Sequence, residues 1–241
     1  MRALLAQTQM ELRLLLRQGE SVLITMVVPL ALLVFFGALG VKPPGYARPI
    51  DFLLPGMLAL AVMSAGLVSL SIRTAYERAY GVLKRLGSTP LGRPRLLAAK
   101  VLSVIVVEVV EIALLLLVAA WLYHWRPAGS ALWAIVVLLI GTATFSSIGL
   151  LLAGTLRAET TLALANGLYL LLLLVGGVVW PVERLPRPLE LVGLVLPSNA
   201  LASALRASLG ASGPSPIFGL VSLLLWCGIA LVCAVRTFRW E

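Results

Sequence analysis

Long apolar runs alternate with short polar breaks along the whole chain. Charge-free stretches cover 21–41 and 52–72, each 21 residues long. A third, 101–123, is apolar except for Glu108 and Glu111, and the others are 127–156, 160–182 and 207–235. A hydrocarbon core takes about 20 helical residues to cross. Six transmembrane helices are therefore expected, at 21–41, 52–72, 98–123, 131–153, 160–180 and 217–236. A further run, 191–205, is interrupted by Pro197-Ser198-Asn199. It is too short and too polar at its middle to cross, which places it at the membrane surface.

Residues 1–18 follow a different pattern. Leu4, Leu5, Leu12, Leu15 and Leu16 share one face of a helix, and Arg2, Gln9, Arg13 and Arg17 gather opposite. That arrangement suits a helix lying in the interface, with Gly19 turning the chain into the first span. The plain alternative is a basic flank that happens to be helical. The first 20 residues lack a continuous apolar core of the kind a cleaved signal carries, so the first span is expected to act as the insertion signal.

Composition sharpens this picture. Hydrophobic residues make up 61% of the 241, and charged residues only 12%, about half the share of a soluble domain. With a mean hydropathy of +1.04, the surplus apolar surface has to face lipid. A secreted disulfide scaffold, a disordered chain and an ordinary cytosolic enzyme are excluded. The net charge of +9 does not point to nucleic acid, because the basic residues sit in the gaps between apolar runs and form no polar face. With the N-terminus inside, 13 of them fall in inner segments and 6 in outer ones, so both termini are expected in the cytoplasm. Cys227 and Cys233 lie in one apolar run, about 9 Å apart along a helix, and read as free thiols.

The richest polar stretch is the inner loop 73–95, which leads into the third span. Tyr76, Tyr80 and Leu83 recur at helical spacing, with Arg78, Lys84 and Arg85 on the other side. A 13-residue helix over 74–86 is predicted, ended by Gly87-Ser88-Thr89-Pro90. Exposed tyrosines under the bilayer suit docking into a groove on another protein. They suit equally a solvated loop whose rings rest among the headgroups.

The run ERAYGVLKRLGSTPLGRPRLLAAK, residues 77–100, resembles ABC-2 type transporter permeases. There a Glu-Arg-x-x-Gly start leads through Thr-Pro-Leu to a Lys that opens the third span. The run WPVERLPRPLELVGLVLPSNALASALRASL, residues 180–209, is similar to the outer segment those permeases carry between spans five and six. The resemblance covers nearly the whole chain. It implies an all-α, six-span ABC-2 (type V exporter-like) fold and the membrane subunit of a bacterial ABC exporter in the cytoplasmic membrane. The implied partners are a pair of P-loop ATPase subunits, a second permease copy or paralogue, and membrane lipid. ATP and Mg would be held on the ATPase, with no cofactor on this chain and no nucleic acid bound. The implied cargo is an amphiphile: a drug, a lipid or a glycoconjugate. By the same resemblance the inner loop is the coupling element that contacts the ATPase, with Glu77, Arg78, Gly81, Lys84, Arg85, Thr89 and Pro90 at family-like positions; the stripe Tyr76, Tyr80 and Leu83 joins them as the face suited to docking. Independently, the lysines precede Pro43, Arg85 and Val101, so none completes a phosphate-binding P-loop. Any ATP-driven work belongs to another polypeptide.

Glu108 and Glu111 lie three apart, on one face of their helix, near mid-membrane. An acid there costs roughly 2.5–3.5 kcal/mol, against about 0.3–0.6 gained per Leu, Ile, Val or Phe. The pair has to be protonated, partnered or hydrated, and Thr142, Thr144, Ser146, Ser147 and Asn166 are the expected partners. Two readings stay open: a polar patch on the pathway or subunit interface, and hydrogen bonding that fixes packing. An ion-coupled carrier using the two acids as a proton or cation site is the competing class. The lone His124 sits beside Trp121, Tyr123 and Trp125 in an aromatic belt, and no nucleophile-and-base set for a membrane enzyme is visible. The outer segment 181–216 is long for a loop. Ser198 or Asn199 is expected to cap a helix with a Leu201, Leu205, Leu209 stripe, forming a short helical pair that covers the outer end of the pathway. Ser198, Asn199, Leu201 and Leu205 are its candidate gate residues; a purely structural lid is the alternative.

Overall fold

The computed structural model describes residues 2–17, 19–40, 43, 45–87, 93–210 and 215–238, and the side chains of the first two helices over 6–14 and 26–40. Every regular element among these residues is helical. In chain order they are α1 (Arg2–Arg17), α2 (Gly19–Leu39), α3 (Pro49–Met63), α4 (Leu70–Ala79), α5 (Val82–Gly87) and α6 (Arg93–Tyr123). There follow α7 (Ala131–Thr155), α8 (Ala158–Val175), α9 (Arg187–Val195), α10 (Pro197–Ser208) and α11 (Pro216–Thr237). Prolines in the first turns of α3, α9, α10 and α11 preset the backbone where its N–H would have no partner anyway.

Helices α3 and α4 form one rod, Pro49–Ala79, wound through a wide π-helical turn at Ser64–Ser69. That rod, Arg95–Tyr123, α7, α8 and α11 are long and apolar enough to cross a bilayer. The pair α9–α10, bent by 74°, adds a sixth if it counts as one broken span, while the apolar stretch Met26–Leu39 of α2 is shorter. The chain is thus a multi-pass membrane protein.

The centre of the bundle is α3, where every residue from Phe52 to Met63 is buried. Lipid is as apolar as leucine, so close packing rather than water exclusion holds such helices together. Small residues make it possible. A Cβ on Gly149 of α7 would lie 2.5 Å from the Gly66 carbonyl oxygen in the wide turn, and one on Gly56 would lie 2.2 Å from that of Val178.

Three expectations are corrected. Helix α10 starts at Pro197 with Leu196 before it, so Ser198 and Asn199 lie inside its first turn and do not cap it. The helix predicted over 74–86 is split. Residues up to Ala79 continue the second span, Gly81 turns the chain at φ +70°, and only Val82–Gly87 forms a separate helix. The tyrosine-leucine spacing misled because it fits a helix on either side of the glycine. The run 191–205, expected at the membrane surface, does not simply lie there. Its second half is α10, which packs among α3, α7 and α11, because its Ala-rich faces are narrow enough to fit inside the bundle.

Candidate coupling surface and intramembrane polar site

At the end of the bundle that carries α1, α5 and the start of α6, the ten residues of the expected coupling element divide by direction. Glu77 of α4 ion-pairs with Lys100 of α6 and stands 3.9 Å from Arg73. Arg78 donates to the Leu156 carbonyl where α7 ends, and Leu83 is buried. Tyr76 packs on Ala153 and Ala158. These four anchor the segment inward. Tyr80 stacks on Tyr76 with ring centroids 6.2 Å apart and remains 71% exposed. Lys84 and Arg85 are exposed beyond the Gly81 turn. Thr89 and Pro90 lie outside the described residues.

Lys100 is fully buried, and a second acid reaches it. Glu11 of α1 accepts from Lys100 Nζ at 2.9 and 3.1 Å and stands 3.5 Å from Arg73. Glu11, Glu77, Arg73 and Lys100 make a neutral quartet, with Ser103 accepting from Arg73 at 3.4 Å. Sequence reasoning missed Glu11, although a signal existed. On a helical wheel it falls about 20° from Leu4, among the leucines rather than the arginines.

Deeper in the bundle, Thr142 of α7 donates to Glu108 Oε2 at 2.6 Å. The other Glu108 oxygen and both oxygens of Glu111 are buried without a hydrogen-bond partner. The remaining expected partners turn elsewhere. Thr144 donates to the Ile140 and Leu223 carbonyls, Ser147 meets Cys227, and Ser146 is buried without a partner. Asn166 is exposed on α8 and donates to Leu162 of its own helix. Tyr169, not singled out from the sequence, stands near Ser64 at the start of the wide turn and lies in the electrostatic reach of Glu111. Wide turns of this kind gather at functional sites. No basic side chain pairs with either acid among the described residues. Two carboxyl groups so placed accept a proton or receive a cation, since an unpaired charge in apolar surroundings is costly.

At the other end, Leu201 and Leu205 are fully buried and Leu201 packs on Gly141 of α7. Ser198 is buried with its hydroxyl unpartnered, and half-buried Asn199 sits against Gly177. Arg206, also missed, holds α10 in place. Its guanidinium donates to the Gly177 carbonyl at 2.7 Å and to that of Val178 at 3.2 Å, and stacks 3.8 Å over Phe52. The nearby Tyr46 phenol stays neutral, because burial pushes its pKa above the ordinary value. Backbone carbonyls thus stand where a carboxylate would be expected.

The chain is thus a multi-pass helical bundle with a buried acidic pair and a short basic helix at its end. The family model for "ABC-2 type transporter" matches residues 2–209, and the chain belongs to that family. It is 29% identical to YvfS of Bacillus subtilis, a candidate transport permease, over 211 residues and 84% of each chain. It is 30% identical over 165 residues to the linearmycin resistance permease protein LnrN of the same organism, covering 67% of this chain and 40% of that one. A 28% match to ABC transporter G family member 20 of Dictyostelium discoideum covers 69% of this chain but 23% of that protein. Transport permeases of this family are the membrane subunits of ABC transporters and are generally not catalytic.

Proposed function

We propose that this chain is half of the membrane pore of an ATP-driven exporter, moving an amphiphile out of the cytoplasm with its power supplied by a separate ATPase pair. Both termini, α1 and α5 face the cytoplasm, as the 13-to-6 distribution of basic residues favours. The observation that carries this reading is the contrast within residues 76–85. Tyr76, Glu77, Arg78 and Leu83 are fixed into the ends of α4, α6 and α7, while Tyr80, Lys84 and Arg85 project outward. A rigidly rooted aromatic-basic knob passes a push into the bundle without absorbing it. The match to a linearmycin resistance permease supports a drug-like amphiphile as cargo. The second permease is a copy or a paralogue.

Force on α5 would travel along the rod Pro49–Ala79 to the wide turn beside Glu111 and Tyr169. Wide turns of this kind gather at functional sites, and small shifts of packed helices are one way a bundle switches between states. Glu108 and Glu111 then face the cargo's cationic group, or the subunit interface. Their lack of a cation among the described residues is also what an ion-coupled carrier would need, so the test separates the two. In inside-out vesicles holding permease and ATPase, uptake of rhodamine 6G is expected to require ATP. The Y80A/K84A/R85A variant should lower uptake at least ten-fold with the complex still assembled. Uptake that follows a proton or sodium gradient without ATP would favour the carrier.

A further inference from the structure

At the end of the bundle opposite α5, three separate stretches of chain close around a polar pocket of about 130 Å3. Arg48 and Asp51 come from the start of α3, Trp125 and Arg126 from the connection between α6 and α7, and Gly210 from the end of α10. Backbone contacts fix one wall. Ser130 N–H donates to the Ser208 carbonyl at 2.8 Å, and Ala128 N–H to that of Leu209 at 3.3 Å. Glycine permits the approach, because a Cβ on Gly129 would lie 2.2 Å from the Ser208 carbonyl oxygen and Gly210 takes φ +86°. The wall is therefore built before any ligand arrives.

The lining carries two cations and one acid, all of them in the pocket itself. Arg48 is committed to Asp51 through hydrogen bonds of 2.9 and 3.2 Å. Exposed Arg126 has no ion-pair partner among the described residues. The stretches of sequence next to the pocket, 41–44 and 211–214, contain no acid. Glu183 reaches Tyr46 of the lining electrostatically but does not line the pocket. One positive charge is left for an anion from outside the chain.

Size and depth narrow that anion. A water molecule takes about 30 Å3 of liquid, so the pocket has room for a phosphate-sized group. It is too small for a whole drug-like molecule, whose pockets start near about 300 Å3. Trp121, four residues before Trp125, is 79% exposed, and Trp133 at the start of α7 is 43% exposed. Exposed tryptophans at a helix end mark the headgroup level of a bilayer, where the abundant anion is lipid phosphate.

We propose that this pocket holds the phosphate of one phospholipid from the leaflet at that end, with Arg126 as its main partner and Arg48 as the second. Guanidinium groups bond phosphate oxygens strongly and in paired geometry. The bound phosphate joins the start of α3, the buried centre of the bundle, to the connection between α6 and α7. The site uses neither the acidic pair nor the segment around Tyr80, so it stands or falls apart from the proposed export function.

The test uses the permease in the complex it forms, delipidated in detergent and followed by native mass spectrometry. One retained phosphatidylglycerol per chain is expected, and diacylglycerol with the same acyl chains, which lacks the phosphate, should bind at least ten-fold more weakly. Arg126→Gln, a change to an exposed side chain, should lower phosphatidylglycerol affinity at least ten-fold. Asp51→Asn, which removes the acid of the lining and frees Arg48, should raise it at least three-fold. Arg187→Gln, at an exposed arginine of α9 outside the pocket, should change it less than two-fold. Millimolar inorganic phosphate should leave the lipid bound. Equal retention of the two lipids, or an equal loss in R126Q and R187Q, would mark ordinary surface lipid and overturn the proposal. Weaker binding in D51N would make the carboxylate the holding group and overturn it too. Displacement by inorganic phosphate would assign the pocket to an anion from solution and overturn the lipid assignment.

Discussion

Two pairs of acids, three of them buried and Glu77 partly so, are treated in opposite ways in this molecule. Glu11 and Glu77 meet Lys100 and Arg73 in a quartet whose charges cancel. Glu108 and Glu111 meet one hydroxyl, from Thr142, and no cation among the described residues. The quartet joins α1, α4 and α6, with Glu11 lying 89 residues from Lys100 in the chain, so its charges define an architecture. The mid-membrane pair joins little. Its unmet oxygens stay open to a proton or a cationic group, and Glu111 lies within electrostatic reach of Tyr169. A matched buried acid is structure, and an unmatched one is an open position.

Substitutions break or sharpen that contrast. The largest effect is expected from Lys100→Met, which leaves two acids facing one arginine. Removing one partner of a buried pair costs about 3–5 kcal/mol, read as a lower melting temperature or lost accumulation in the membrane. The E11Q/K100M double variant restores neutrality and should recover more than about 1 kcal/mol of that loss. Simple additivity of the two single changes would mean the quartet is not coupled. Thr142→Val takes away the one hydrogen bond that Glu108 receives among the described residues, and a loss of about 1–2 kcal/mol is expected by thermal unfolding in detergent. Glu111→Gln should change stability by less than about 1 kcal/mol, since no ionic partner is lost, while ATP-driven transport falls at least ten-fold. A large loss of stability with normal residual transport would move Glu111 into the structural class.

Much of the fold is legible in the sequence because lipid enforces a simple rule. A charge-free run of sufficient length has to be a helix that buries its own backbone groups, and α7 and α11 coincide with such runs. The rule fails wherever a polar residue finds a partner inside the protein. The second span runs on to Ala79 because Arg73 and Glu77 are matched internally, so their charge does not mark its end. Arg206 counts as an outer-loop charge in the sequence, but three backbone carbonyls and the face of Phe52 receive it within the bundle. In the candidate site, Glu108 and Glu111 stand out because an acid in an apolar run is conspicuous. Tyr169 does not, because a tyrosine among leucines looks like packing. Glu11 does not, because its cation lies 89 residues away in the chain.

The central claim is that a separate ATPase drives this permease through the segment around Tyr80. The most direct measurement compares rhodamine 6G accumulation in proteoliposomes holding the chain alone with accumulation in those holding chain and ATPase. The account predicts uphill accumulation with the ATPase and ATP, and none for the chain alone under any imposed proton or sodium gradient. Uphill accumulation by the chain alone on an ion gradient would contradict it.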